Sequence, residues 1–224
     1  MSESLAASDE TRARDALTRA GLALYRAGLN QEAEGNLSLR LGEGLLITPS
    51  GLPWERLTPQ RLVLLDRDNH ARGGRPSSEW PLHRAILDAR PEVHAVVHTH
   101  SMFATTLACL RRDLPPFHYM IAQAGGPDIR CSRYATFGSQ DLAEAAVDAL
   151  QDRKACLLAS HGMVTVGKTL EEAVSLSLTV EKLCEQYWRA CQLGEPVLLS
   201  DAEMDEVMAQ FSDYGPQYDE KDLT

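Results

Sequence analysis

The feature that most constrains the fold is an apolar run that ends in two histidines, "VHAVVHTHSMFATTLA" at residues 93–108. Its β-branched centre is typical of a buried strand, and the residues after it predict a helix from about 101 to 112. Side chains two apart in a strand lie on one face, about 6.6 Å apart along the strand. His98 and His100 can therefore converge on one metal ion, to which imidazole nitrogens bind at about 2.0–2.1 Å.

A second apolar strand supplies a third histidine. The segment "ACLLASHGMVTVG", residues 155–167, predicts a strand, a turn and a strand, with His161 at the end of the first and Gly162 permitting a sharp turn. Three histidines from two strands, with an open fourth position, match the ligand set of a catalytic zinc. Imidazole also suits cobalt, manganese, iron and nickel, so zinc is the first choice among several metals.

The remaining histidines fit ordinary structural roles. His70, His83 and His94 are interpreted as core or surface residues, because a single histidine in an amphipathic pattern requires no ligand. His94 shares the strand face of His98 and His100, but it lies about 13 Å from His100 along the strand, too far to join them.

The order of elements predicts one α/β domain over residues 1–224, with a largely antiparallel central sheet covered by helices in an αβα arrangement. Hairpins are predicted within 36–48 and 155–167, and a further strand near 61–66. Helices are predicted at about 8–27, 79–89, 139–152, 169–194 and 200–211, with Ser77 or Ser78 as the cap of the second. Residues 1–7 and 215–224 are expected to be flexible.

Composition limits the class of protein and its partners. The chain is 44% hydrophobic and 24% charged, as in an ordinary soluble globular protein, and no apolar run approaches the roughly 20 residues that span a membrane. Five scattered cysteines without a CxxC pair favour reduced thiols and a cytoplasmic location. A net charge of −10 without a Lys/Arg block disfavours nucleic acid, so an anionic substrate has to be captured by local groups.

Six segments together give the chain a recognisable pattern: "GNLSLRLGEGLLITPSGLPWERLTP", "SSEWPLHRAI", "AVVHTHSMFATTLA", "PPFHYMIAQAGGPDIRCSRYATFGSQDLAEAA", "KACLLASHGM" and "SDAEMDEVMAQFSDYG". In this order and spacing they resemble the class II aldolase/adducin family, and within it most closely the members that cleave L-fuculose 1-phosphate. The resemblance covers nearly the whole chain and leaves out the first residues and the acidic tail after Tyr214.

The resemblance implies roles for the metal-site residues. It implies that His98, His100 and His161 hold one Zn²⁺ per subunit, and that Glu79 is the catalytic acid/base and a metal ligand before substrate binds. A metal and a movable carboxylate suit a reaction that leaves negative charge beside a carbonyl. From the residues alone, Glu79 is better explained as a first-turn glutamate that the helix dipole favours.

The resemblance also implies a substrate site shared between subunits. Three short turns would bind the substrate phosphate, and they contain Gly35, Asn36, Ser50, Gly51, Ser77 and Ser78. Tyr119 would reach a neighbouring subunit's site as proton donor to the aldehyde oxygen, within a homotetramer. Tyr214 would be a second catalytic tyrosine, on the mobile C-terminal segment. Taken singly, these residues fit turns, a helix cap and packing aromatics.

The expected activity is zinc-dependent, reversible cleavage of a 1-phosphorylated ketose, such as L-fuculose 1-phosphate, into dihydroxyacetone phosphate and an aldehyde. Aldolases for 5-deoxyribulose or 5-methylthioribulose 1-phosphate are the nearest alternative, because the chemistry and the phosphate end are the same. Methylthioribulose-1-phosphate dehydratases and L-ribulose-5-phosphate 4-epimerases share the histidines and rank lower. A non-catalytic adducin-like module ranks last, because the three histidines and Glu79 are all present.

Overall fold

The computed structural model describes residues 2–213 of the chain. Tyr214 and the tail 215–224 lie outside the described residues, and the flexibility of residues 1–7 stays a prediction. The described helices are α1 Ser2–Arg26, α2 Trp80–Ala89, α3 Met102–Ala108, α4 Gln140–Ala149, α5 Leu170–Leu193 and α6 Asp201–Asp213. The described strands are β1 Asn36–Leu41, β2 Gly44–Ile47, β3 Val63–Leu65, β4 Ala71–Arg72, β5 Ala95–Thr99, β6 Arg130–Cys131, β7 Ala155–Leu158 and β8 Gly162–Gly167.

One sheet contains all the described strands, in the order β4-β3-β2-β1-β5-β8-β7-β6. Its strand pairs are antiparallel except for β6 with β7, which confirms the predicted, largely antiparallel sheet. The histidine strand β5 lies in the interior of the sheet, between β1 and β8. A central strand is held by hydrogen bonds on both edges, which makes it a rigid base for a site.

Helices cover both faces of the sheet. Successive strand residues point to opposite faces, so Val97 packs into one buried cluster with residues of α1, α3 and α5. Val96 packs into a second cluster with Leu82 of α2 and Leu142 of α4. The αβα layering expected from the sequence is therefore confirmed.

Several local expectations were wrong. Helix α1 begins at Ser2 rather than near residue 8. Helix α3 ends at Ala108, where the bonds tighten to the carbonyl three residues back, and Arg111 then takes a left-handed conformation with φ 53°. Neither serine caps α2: its N-cap is Glu79, which makes no side-chain capping bond. A 3₁₀ helix at Tyr119–Ala124 was not predicted.

Neither disulfides nor membrane-spanning helices are present among residues 2–213. All five cysteines are free thiols, as the absence of a CxxC pair predicts. Among residues 2–213, the longest helices are too polar to cross a lipid bilayer. The cytoplasmic location stays a prediction.

Candidate metal centre and active site

His98 is the deepest residue of the candidate site. It occupies the centre of the sheet, opposite Asn36 of β1 and Val164 of β8, and its side chain is fully buried. Its Nδ1 lies 2.9 Å from the carbonyl oxygen of Met163. Because a carbonyl only accepts, Nδ1 carries the proton and Nε2 keeps a free lone pair. This is the tautomer that a metal ligand needs.

The two other predicted histidines meet His98 at this point. His100 follows the last residue of β5, and His161 lies in the turn between β7 and β8. The Nε2 atoms of His98 and His100 are 3.0 Å apart. The three ring centroids are 4.8–4.9 Å from one another, with each pair of rings edge-on. The predicted convergence of His98, His100 and His161 is therefore present in the fold.

Glu79 completes this cluster from the start of α2. Its Oε2 lies 3.1 Å from Nε2 of His98, and its Oε1 lies 3.4 Å from Nε2 of His161. The glutamate is buried, and Oε1 accepts no hydrogen bond. One atom from each of the four side chains lies within 4.8 Å of the others. A buried carboxylate oxygen without a donor, beside three imidazoles, fits a divalent cation in their midst.

The electrostatics of the cluster favour, for most of these groups, the protonation state that binds a metal. Burial, helped by the neighbouring rings, lowers the pKa of His100 to about 3 and that of His161 to about 4. Burial alone would raise the pKa of Glu79, but His98, His161 and the Asn36 amide hold it below the ordinary value. The Glu79 carboxylate conversely raises the pKa of His98 against the effect of burial. Neutral imidazoles and an ionised carboxylate are the forms that bind metal.

The turn that carries His161 is built differently from the sequence expectation. Ser160, and not Gly162, adopts the left-handed conformation, with φ 56°. Gly162 is required for space instead, because a Cβ there would lie 2.4 Å from the carbonyl oxygen of Thr99. The same Cβ would lie 3.1–3.2 Å from the rings of His98 and His100. The glycine therefore lets the two strands and the imidazoles approach closely.

Replacing Gly162 by alanine is expected to displace the histidine rings. We expect Gly162→Ala to lower the free energy of unfolding by about 1–3 kcal/mol, as overpacking does, and to weaken metal binding. Gly194→Ala is the matched control, because a Cβ at Gly194 meets no atom within 4 Å and its φ of 162° is extended. Urea unfolding and metal titration of both variants test this, and equal metal affinity in the two would contradict it.

A cavity of about 410 Å³ opens beside the cluster. Glu79, His100 and His161 line one part of it. The residues predicted to bind phosphate all line it as well: Gly35, Asn36, Ser50, Gly51, Ser77 and Ser78. Gly35 and Gly51 have φ of +69° and +67°, as tight turns require. The fold thus brings three sequence-distant turns to the edge of the candidate metal centre.

The sequence reasoning missed several residues of this cavity. Tyr134, Phe137 and Ser160 line it, and the two aromatics are 53% and 67% exposed. Their signal was the "RYATFG" segment, in which two large aromatic residues stand in a polar, glycine-containing loop. Gly138 packs this loop onto the Ser78 carbonyl, where a Cβ would lie 3.0 Å away. The loop therefore forms a wall next to one of the predicted phosphate turns.

Tyr119 lies away from this cavity within its own chain. Its ring is 52% exposed and stacks on Phe211 of α6 with centroids 6.3 Å apart. Together with Met120, Gln123, Val207 and Gln210, these two rings line a separate groove. An exposed tyrosine outside its own chain's cavity agrees with action in another subunit, which stays a prediction.

The sequence-family model of the class II aldolase and adducin N-terminal domain matches residues 15–188 of this chain. The chain belongs to this family. It is 54% identical over 189 residues to a 5-methylthioribulose-1-phosphate/5-deoxyribulose-1-phosphate aldolase of Rhodospirillum rubrum, covering 84% of this chain and 86% of the relative. It is 43% identical over 201 residues to the L-fuculose phosphate aldolase of Escherichia coli K12, covering 89% and 94%.

A solved structure of an L-fuculose 1-phosphate aldolase superposes with a TM-score of 0.86 at 36% identity, covering 90% of this chain and 96% of the other. The match to named aldolases confirms the predicted enzyme class, and the chain is a class II aldolase, a lyase. Its His/Glu cluster is able to hold the divalent metal that such enzymes use.

Proposed function

We propose that this class II aldolase cleaves a 1-phosphorylated ketose into dihydroxyacetone phosphate and an aldehyde, with one Zn²⁺ per subunit held by His98, His100 and His161. One observation carries the proposal: three imidazoles and a buried carboxylate meet at a cavity whose other wall is built from serine and glycine turns. When bound there, a divalent cation supplies the Lewis acid that stabilises negative charge at the substrate carbonyl.

Glu79 is the group placed to move the proton at the nucleophilic carbon. In the cleavage direction, breaking the carbon–carbon bond leaves an enediolate, and Glu79 protonates its carbon to give dihydroxyacetone phosphate. In condensation Glu79 removes the same proton. The carboxylate lies at the cavity wall, and two of its neighbours are the predicted metal ligands His98 and His161. With a cation held by the histidines, a substrate that bound to it would displace Glu79 and leave the carboxylate within reach of the reacting carbon.

The phosphate of the substrate is held without a cationic side chain. No Lys or Arg is among the described residues that line the cavity. Hydroxyls of Ser50, Ser77 and Ser78, the Asn36 amide and backbone N–H groups of the turns are the available donors. Because Glu79 is the N-cap of α2, these turns also lie beside the positive end of a helix dipole. Such donors bind a dianion locally even on a chain with net charge −10.

The aldehyde half of the substrate is inferred from the relatives. The sequence reasoning ranked L-fuculose 1-phosphate first, whose cleavage releases a hydroxyaldehyde. The 54% identity to an aldolase named for 5-methylthioribulose and 5-deoxyribulose 1-phosphate, against 43% to an L-fuculose phosphate aldolase, favours these two ketoses instead.

A panel of 1-phosphorylated ketoses tests this proposal. L-Fuculose, 5-deoxyribulose and 5-methylthioribulose 1-phosphate are each assayed for release of dihydroxyacetone phosphate with coupled detection. We expect release from all three and a higher kcat/KM for the two ketoses with an apolar end. No release from any of them, with epimerisation of L-ribulose 5-phosphate instead, would overturn the proposal.

We further propose that the enzyme is a homotetramer in which Tyr119 completes a neighbour's site. Sedimentation should then show a tetramer, and Tyr119→Phe and Glu79→Gln should each be inactive when alone. Exchanging subunits between the two variants should restore part of the activity, because some hybrid sites combine an intact Glu79 with an intact Tyr119. A monomer with full specific activity on dilution, or hybrids that stay inactive, would contradict the shared site.

A further inference from the structure

A line of buried polar side chains runs from the sheet to Glu79. Ser38 and Asn36 are two apart on β1 and share one face, while His83 stands one turn after Glu79 at the start of α2. The relative exposures of Ser38, Asn36, His83 and Glu79 are 0%, 4%, 0% and 6%. Buried polar groups are retained only where each finds a partner, so this line is an ordered network.

The hydrogen bonds of this network have one consistent direction. Asn36 Nδ2 donates to Oε2 of Glu79 at 2.9 Å, since a carboxylate only accepts. The amide oxygen of Asn36 then contacts Nε2 of His83, which must donate to it. The His83 ring is fully buried, which disfavours a charged imidazole, so with Nε2 protonated its Nδ1 is an acceptor. The hydroxyl of Ser38, 2.7 Å away, donates to that Nδ1.

We infer that Ser38 and His83 are positioning residues of this enzyme, which fix the Asn36 amide so that its N–H points at the Glu79 carboxylate. The opposite orientation of the amide would place its oxygen against the Glu79 oxygen, and the two acceptors would repel each other. Without the His83 N–H, the buried Asn36 oxygen loses its donor, and the amide is held only from the Glu79 side. The two hydrogen bonds of the amide together therefore fix the N–H that Glu79 accepts.

The inference rests on the proposed function in one respect, namely that Glu79 moves a proton. Asn36 also lines the cavity, so one amide touches both the carboxylate and the space that substrate enters. An amide nitrogen carries two protons, and the bond to Glu79 uses one of them. His83 and Ser38 thus act on the reaction only through Asn36, without touching substrate.

A spectroscopic test is independent of activity. The metal-loaded protein is labelled with ¹⁵N-histidine, and His83 is assigned as the signal that His83→Phe removes. We expect a neutral ring protonated on Nε2. A ring protonated on Nδ1 alone would leave the Asn36 oxygen without its donor and overturn the inference, whatever the substrate proves to be. A ring protonated on both nitrogens would reverse the bond to Ser38 and overturn the role of Ser38.

A double-mutant cycle tests the functional consequence. The measured rate is exchange of the Glu79-dependent proton of dihydroxyacetone phosphate with deuterated water. Outer partners of metal-site ligands typically contribute about 10–100-fold, so His83→Phe should slow exchange by about that factor. His83→Gln should retain more of the rate, because its amide N–H reaches a position close to that of Nε2–H.

The decisive comparison uses the Asn36→Ala background. If His83 acts through Asn36, adding His83→Phe to Asn36→Ala should slow exchange no further. If the double variant is instead slowed by the product of the two separate factors, His83 acts independently of Asn36, and the inference is overturned. Ser38→Ala should slow exchange more than Ser177→Ala, its control at another fully buried serine that bonds only helix carbonyls.

These results separate the inference from the proposed function. If the parent enzyme shows no exchange, the proposed function fails, and the ring tautomer still decides the donor order. If the parent exchanges normally and the cycle is additive, only the positioning role of His83 fails.

Discussion

His98→Ala, His100→Ala and His161→Ala are each expected to lose bound metal and at least about 10³-fold in turnover, because a Lewis-acid metal contributes several kcal/mol and each 1.36 kcal/mol is tenfold in rate. The Nε2 atoms of these side chains lie in one cluster, so two remaining histidines leave an incomplete ligand set. His94→Ala is the matched control. His94 lies just before the same strand but is exposed, and it stands outside the cluster.

Elemental analysis of the four purified variants, together with their rates, measures this prediction. Thermal unfolding in the presence of chelator shows whether each variant is folded, so that loss of metal is distinguished from loss of structure. A His161→Ala protein that keeps stoichiometric metal and the parental rate would contradict the three-histidine site.

Glu79→Gln is expected to retain metal and to lose turnover by about 10²–10⁴-fold, the usual contribution of a general acid/base. Three histidines remain in this variant, and glutamine preserves the shape of the side chain. The neutral amide of the glutamine cannot accept a proton as the carboxylate does. The variant should therefore fail to exchange the corresponding proton of dihydroxyacetone phosphate with deuterated water, a half-reaction that needs no aldehyde.

Tyr119→Phe distinguishes proton transfer at the dihydroxyacetone phosphate carbon from proton transfer to the aldehyde oxygen. It should keep the exchange and lose cleavage, because its proposed proton goes to the oxygen of the aldehyde product. Exchange by Glu79→Gln at the parental rate would show that Glu79 is not the base. Glu79 would then be a structural N-cap of α2.

The metal cluster was predictable because it depends on local patterns. His98 and His100 follow from a period of two in an apolar strand, and His161 from a second apolar strand with a turn. The sheet type followed from two hairpins, at 36–48 and 155–167, whose strands pair as expected. A shift of the strand register by one residue would move the apolar side chains from the buried face of the sheet to the other face, so such patterns specify the register strongly.

The features that sequence reasoning missed depend on contacts between distant segments. Strands β4 and β6 have two residues each, too few for any periodicity, and they exist because β3 and β7 offer free edges. His83 reads as an ordinary helix residue until α2 is packed on β1, where Asn36 and Ser38 become its partners. Gly162 was predicted only to permit a sharp turn, because the close approach of the Thr99 carbonyl exists only in the folded chain.

The roles of Tyr119 and Glu79 came from the resemblance rather than from their surroundings in the sequence. A glutamate at a helix start is favoured by the dipole whether or not it does chemistry. Its placement among three imidazoles, with one oxygen lacking a donor, is what makes it chemically distinct.

The rate of dihydroxyacetone phosphate release from 5-deoxyribulose 1-phosphate, measured before chelation, after chelation and after addition of Zn²⁺, tests the central claim most directly. We predict release by the purified enzyme, loss of release in protein that elemental analysis shows to be metal-free, and recovery when Zn²⁺ is restored. Full release by the metal-free protein would contradict the assignment of His98, His100 and His161 as the ligands of a catalytic metal.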